Sequence, residues 1–270
     1  MNIFTLNKNR ILTLENLTFK EWPALETQIL GNWVLRFAQG YTKRSNSINC
    51  LPLNPVLGPS SSSSIENAER LSEAILHCEA LYHQKNLPVI FKLTPHSQPE
   101  IEEVLEKKGY GKIDPSWVMT RPLQDTIKPS SSVIWHDKND EVWLNRFFEW
   151  KDLSPSHRQL FATITALTEG EVFHATWEET PQNPVAMATG VLNNGWLGLL
   201  NVHTEEKYRG RGFAKKLIQA VLAEGKSRGA TQAYLQVVEQ NTPALGLYTD
   251  LGFQREYIYW YRVKSLSQVL

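Results

Sequence analysis

One short pattern occurs twice and constrains the fold more than any other feature. Residues 104–110, VLEKKGY, and residues 247–253, LYTDLGF, each read as a last helical turn, a glycine in the helix-end position and an aromatic. Glycine suits that position because the residue closing a helix takes a left-handed conformation that a Cβ penalises. The flanking segments keep one order in both halves. In the first, NWVLRFAQGYT is strand-like and SIENAERLSEAILHCEALYHQKN is a helix. LPVIFKLTP is a strand, QPEIEEVLEKKGY a helix and SWVMTRPL a closing strand. In the second, PVAMATGVLNNG and WLGLLNVHT form a hairpin around the NNG turn. GFAKKLIQAVLAEGKSRG is then a helix, TQAYLQVVE a strand, NTPALGLYTDLGF a short helix and YIYWYRV a strand. A tandem duplication of one α/β unit explains the shared order. Residues 123–132, polar and carrying Pro129 and three serines, are the expected linker between domains 1–122 and 133–270.

Helical spacing supports these assignments. Ser64 is the expected cap of a helix whose Ile65, Ala68, Leu71, Ile75 and Leu81 fall near one stripe. WLNRFFEW places Trp143, Phe147, Phe148 and Trp150 on an early helix of the second domain, where core packing should claim at least half of them.

Charge and cysteine usage narrow the function classes. Twenty-eight basic and 28 acidic residues give zero formal net charge, and the basic residues are scattered, which argues against nucleic acid or an anionic membrane as partner. Cys50 and Cys78 lack metal-ligand spacing, so no metal site is expected, and two free thiols fit a reducing compartment. The N-terminal stretch is not a signal peptide and no long apolar span follows, so a cytoplasmic protein is expected.

YRGRGFAKKL, residues 208–217, is the candidate ligand site. A helix N-terminus presents unpaired N–H groups and partial positive charge, and glycines let the backbone approach an anion. Here Gly210 and Gly212 precede a helix anchored by Phe213, Ala214, Leu217, Ile218, Val221 and Leu222, while Arg209 and Arg211 add charge. The spacing fails both the P-loop and the dinucleotide fingerprint, which leaves a metal-free pyrophosphate site or a tight strand-to-helix turn.

Arg209-x-x-Gly212-x-Ala214 resembles the R/Q-x-x-G-x-G/A signature of the GCN5-related N-acetyltransferases. The resemblance covers roughly residues 133–263 and includes NVHTEEKYRGRGFAKKL followed by YLQVVEQNTPALGLYTDLGF. The first half is similar to the N-terminal half of bacterial tandem enzymes of this kind, notably in GYTKRSNSI. The resemblance implies two tandem α/β units, each with a mixed, mostly antiparallel central sheet flanked by helices. It implies acetyl-CoA as co-substrate and a primary amine, on a small molecule or a protein, as acceptor. Val202, His203 and Thr204 match the splayed strand that pairs with the pantetheine arm. Gly210, Arg211, Gly212, Phe213, Ala214 and Lys215 match the pyrophosphate loop headed by Arg209, and Asn241 matches a contact to the cofactor arm. Tyr248 matches the general acid that serves the departing thiolate.

The family's glutamate base has no match, since Gln236 stands at its position; Glu239, His203, Glu178, Glu179 and a water chain remain open for that role. In the first half PLNPVLGPSSSSS replaces the glycine loop and Leu105 replaces the tyrosine, as in a degenerate copy. A catalytically idle acyl-CoA binder, serving as sensor or scaffold, is the competing reading.

Overall fold

A computed structural model describes residues 3–51, 64–124, 132–180 and 182–264. The serine run at 60–63 and most of the expected linker lie outside these residues. In chain order the elements are α1 (Ile3–Glu21), β1 (Glu26–Leu30), β2 (Trp33–Phe37), β3 (Ile48–Cys50), α2 (Ser64–Gln84), β4 (Val89–Leu93), α3 (Pro99–Lys107) and β5 (Gly111–Pro122). There follow β6 (Val133–Asp137), α4 (Glu141–Trp150), α5 (Pro155–Leu167), β7 (Glu171–Thr180), β8 (Asn183–Asn193) and β9 (Trp196–Thr204). Then come α6 (Phe213–Ser227), β10 (Gln232–Val238), α7 (Thr242–Asp250) and β11 (Gln254–Lys264). None of the described helices is long and apolar enough to cross a membrane.

The chain forms two compact units, of mixed α/β class as expected. One comprises Met1–Thr13, Ala24–Ser116 and Tyr257–Leu270; the other comprises Leu14–Pro23 and Trp117–Glu256. In the first unit β1, β2 and β3 pair antiparallel, β3 and β4 pair parallel across the α2 crossover, and β4 pairs antiparallel with β11. The period of two sends Trp33, Leu35, Phe37, Ile48, Cys50, Val89, Phe91 and Leu93 to one sheet face, where they pack on Leu71, Ile75, Cys78 and Tyr82 of α2. Both cysteines are buried and free. The carboxylate of Glu79, also buried, is satisfied by the Tyr110 hydroxyl at 2.8 Å and Lys264 Nζ at 3.2 Å.

In the second unit the strand order is β5-β10-β9-β8-β7-β6. The strands from β6 to β9 are antiparallel; β9 and β10 are parallel, joined through α6. The NNG turn joins β8 to β9 as expected, with Asn194 at φ 50° and Gly195 at φ 77°. One sheet face packs on Leu217, Ile218, Val221 and Leu222 of α6. The aromatics of α4 divide as expected: Trp143, Phe147 and Phe148 are buried and Trp150 is half-buried. Phe147 stacks on Trp143 at 5.1 Å and meets Phe161 of α5 at 4.7 Å.

The two glycine helix endings are the same motif in detail. Gly109 has φ 82° and Gly252 φ 83°. Tyr110 N donates to the Leu105 carbonyl and Phe253 N to the Tyr248 carbonyl, both at 3.0 Å. Leu105 and Tyr248 therefore occupy equivalent places. The strands that follow are exchanged: β4 lies beside β11, and β10 beside β5. Leu123 N donates to the Thr231 carbonyl at 2.9 Å next to that second pairing. Each unit is thus closed by the last strand of the other half of the sequence.

Candidate active site

The site lies in the second unit, where two strands part. β9 and β10 pair only at Trp196↔Gln232, Leu197↔Ala233 and Gly198↔Tyr234. Beyond these pairs β9 continues to Thr204 and β10 to Val238 without pairing to each other. On its other edge β9 carries a bulge: Met187 faces His203 but Thr189 faces Leu200, so two residues of β9, Asn201 and Val202, stand against the single Ala188 of β8. The extra residue is accommodated at Asn201, at φ 53°. A bulge bends its strand and increases the local twist, and here it accompanies the fork. Val202, His203 and Thr204 form the diverging limb, all half-buried.

The glycine loop follows directly. After a 3₁₀ turn at Glu206–Tyr208, Gly210 and Gly212 both take φ 78°. A Cβ built on either would meet nothing within 4 Å, so these glycines serve conformation rather than crowding. Gly212 caps α6 without a side-chain bond, and no acidic residue occupies the first turn. The amides of Phe213, Ala214 and Lys215 are thus left for an anion, reinforced by the helix dipole. Arg211 lies 3.7 Å from Glu179 and Lys215 3.9 Å from Asp250. Such exposed pairs bind weakly and leave both cations open to a phosphate. Arg209 Nε donates to the Thr204 carbonyl at 3.3 Å and ties the loop to the limb.

Asn241 caps α7, its Oδ1 accepting from Ala244 N at 3.3 Å. Tyr248 is buried, its ring 6.0 Å from that of Phe253. Burial pushes its pKa up to about 12. The phenol is therefore protonated near neutral pH.

Over residues 9–262 the chain matches the family model described as "Probable histone acetyltransferase Rv0428c C-terminal". The chain belongs to this family. It is a member of the GCN5-related N-acetyltransferases. Similar relatives include the uncharacterized N-acetyltransferase YobR of Bacillus subtilis, 26% identical over 94% of this chain and 98% of its own. The probable histone acetyltransferase Rv0428c of Mycobacterium tuberculosis is 22% identical over 90% of this chain and 70% of its own. A tandem GCN5-related protein from the clavulanic acid biosynthesis pathway shares the fold with a TM-score of 0.61 and 12% identity, over 92% of this chain and 86% of its own.

The side chains considered as the acetyltransferase's base are distributed unevenly. Gln236 Nε2 donates to Thr18 Oγ1 at 2.8 Å. Glu239 is exposed and accepts from Trp117 Nε1 at 3.2 Å. Glu178 accepts from Gln182 N at 3.3 Å, and Glu179 faces Arg211. His203 is on the limb itself, its ring 5.5 Å from that of Trp150. Burial, followed by the charges of Lys151 and Arg209, lowers its pKa to about 4, so it is neutral at pH 7.

Sequence reasoning missed the contribution of residues 14–23. Glu21 is buried, accepts from the Tyr234 hydroxyl at 2.6 Å and presses on Gly198, at the closed end of the fork. The available signal was Gly198 itself, since a glycine inside a strand often marks a close approach. His174, fully buried beneath the bulge, was also missed.

Proposed function

We propose that the chain transfers an acetyl group from acetyl-CoA to a primary amine of a small molecule or protein, by direct attack. The observation that carries this reading is the fork itself. A bulged β9 limb with no β10 partner runs into a helix start whose amides no side chain caps. An extended amide-bearing arm adds to an unpaired strand edge through main-chain hydrogen bonds. A pyrophosphate suits the loop beyond it. The donor set therefore fits a CoA thioester and asks for no metal.

When bound, the thioester supplies an activated acyl group. Val202, His203 and Thr204 hold its arm on the limb. The loop amides from Gly210 to Lys215, with Arg209 and Arg211, hold the pyrophosphate. The acceptor nitrogen forms the new C–N bond as the C–S bond breaks, and the Tyr248 hydroxyl donates to the departing sulfur. With a pKa near 12 the phenol stabilises the thiolate chiefly by hydrogen bonding. The acceptor's proton leaves by His203 or by water; a neutral imidazole with a pKa near 4 accepts it only weakly, which favours water as the final carrier.

The test has two arms. Acetyl-CoA without magnesium should raise the melting temperature, because a ligand of the native state stabilises it. No shift at saturating acetyl-CoA rejects the reading. An acceptor library scored for free CoA release then identifies the amine class; binding without release from any acceptor would instead mark an idle acyl-CoA binder.

A further inference from the structure

Beneath the bulge lies a buried polar chain. His174 Nε2 is 3.1 Å from the Lys138 carbonyl, and His174 Nδ1 is 2.9 Å from Thr189 Oγ1. Asn201 Nδ2 donates to the same Thr189 oxygen at 3.2 Å. A carbonyl only accepts, so Nε2 carries the imidazole proton. Burial lowers the pKa of His174 to about 4, so the ring is neutral and Nδ1 is an acceptor. The Thr189 hydroxyl must therefore donate to Nδ1. Its oxygen is left to accept, which orients the Asn201 amide. Trp143 stacks on the imidazole at 3.8 Å and 8° and fixes the ring plane. Every direction in the chain is thus set by its neighbour.

The chain ends on the residue that makes the bulge. Asn201 sits at φ 53°, a conformation that a Cβ penalises and that asparagine tolerates best among residues other than glycine. Thr189 also stands at the register break, opposite Leu200 and two positions from Met187. We propose that His174, Thr189 and Asn201 are positioning residues: they hold the β9 limb in its bulged course and so set the affinity for the acetyl-CoA arm. This rests on the acetyl-CoA reading above, but it assigns a role to three side chains outside the glycine loop and apart from Tyr248 in sequence.

The test uses the full chain, acetyl-CoA as probe, calorimetric Kd values and amide hydrogen exchange at Val202–Thr204. Thr189→Val keeps the side-chain volume and removes the hydroxyl; it should weaken acetyl-CoA binding about tenfold, the loss of a single hydrogen-bonded orientation. It should also speed exchange along the limb. Adding Asn201→Gly should restore most of the affinity, because glycine takes φ 53° without a tether. General damage to the fold would not be repaired by removing a second side chain. Asn201→Ala, which leaves the His174–Thr189 bond intact, should show the same loss if Thr189→Val does not fold. Affinity within twofold of the parent in Thr189→Val or Asn201→Ala overturns the proposal, as does a loss that Asn201→Gly fails to repair. Should the parent chain bind no acetyl-CoA, the proposed function falls. The relay is then judged by exchange alone, and unchanged exchange in Thr189→Val overturns it.

Discussion

Gly198→Ala is the sharpest perturbation of the fork. A Cβ built there would overlap Glu21 Oε2 and lie 2.7 Å from Cδ. The carboxyl group must move, and it is buried. Moving it costs the 2.6 Å bond from the Tyr234 hydroxyl, about 1–3 kcal/mol for a buried hydrogen bond left unmade. Overpacking adds about 1–3 kcal/mol. The sum is about 4 kcal/mol, or on the order of 10 °C in melting temperature for a domain of this size. Thermal unfolding of four proteins checks the reasoning: parent, Gly198→Ala, Glu21→Ala and the double variant. In the Glu21→Ala background the new methyl meets no carboxyl group, so its cost should drop by about 2 kcal/mol or more, a coupling of the size expected for residues in contact. A Gly198→Ala protein melting within 2 °C of the parent, or an equal loss in both backgrounds, would refute the account.

Three further outcomes are expected. Tyr248→Phe should lower turnover about 10²-fold while leaving acetyl-CoA affinity nearly unchanged, as measured by CoA release and by calorimetry; unchanged turnover removes the tyrosine from the mechanism. Folding depresses His174 from its ordinary 6.5 to about 4, so the unfolded chain takes up this proton first as pH falls. Stability should be complete above pH 6.5 and lost progressively toward pH 4, by about 3 kcal/mol for this fully buried group, and His174→Gln should flatten the melting profile in that window. Residues 133–270 expressed alone lack both Leu14–Pro23 and the β5 strand beside β10. That fragment should show no cooperative melting by circular dichroism, and a sharp transition would contradict the strand exchange.

The locally encoded parts of this fold were legible in the sequence. The glycine helix endings, the NNG hairpin and the loop before α6 are each fixed by a few adjacent residues, and each stands where their chemistry requires. Strand exchange was not legible, because β5 and β11 both follow a helix–glycine–aromatic ending and either could close either sheet. The buried roles of Thr18 and Glu21 depend on contacts with Gln236 and Tyr234, more than two hundred positions away. Nothing in the N-terminal stretch announces them. His174 in EVFHATWEET reads as an ordinary strand residue; its meaning appears only once β8 places Thr189 opposite and α4 places Trp143 on its ring.

The features that make the fork are those that ordinary stability would remove. A strand limb without a partner on its β10 edge forgoes ladder hydrogen bonds there, Asn201 holds a left-handed conformation, and the α6 start has no side-chain cap. Each costs of order 1 kcal/mol. They are contiguous in the second unit, and strain of this kind concentrates where a ligand offsets it. The first unit supplies the contrast. Its β3 is three residues long and pairs with β4 at Ile48↔Phe91 and Asn49↔Lys92. Leu105 holds the place of Tyr248, and it is packed among apolar neighbours with no proton to give. Among the described residues the fork belongs to the second unit, where the bulge, the left-handed Asn201 and the uncapped start of α6 follow one another along the chain.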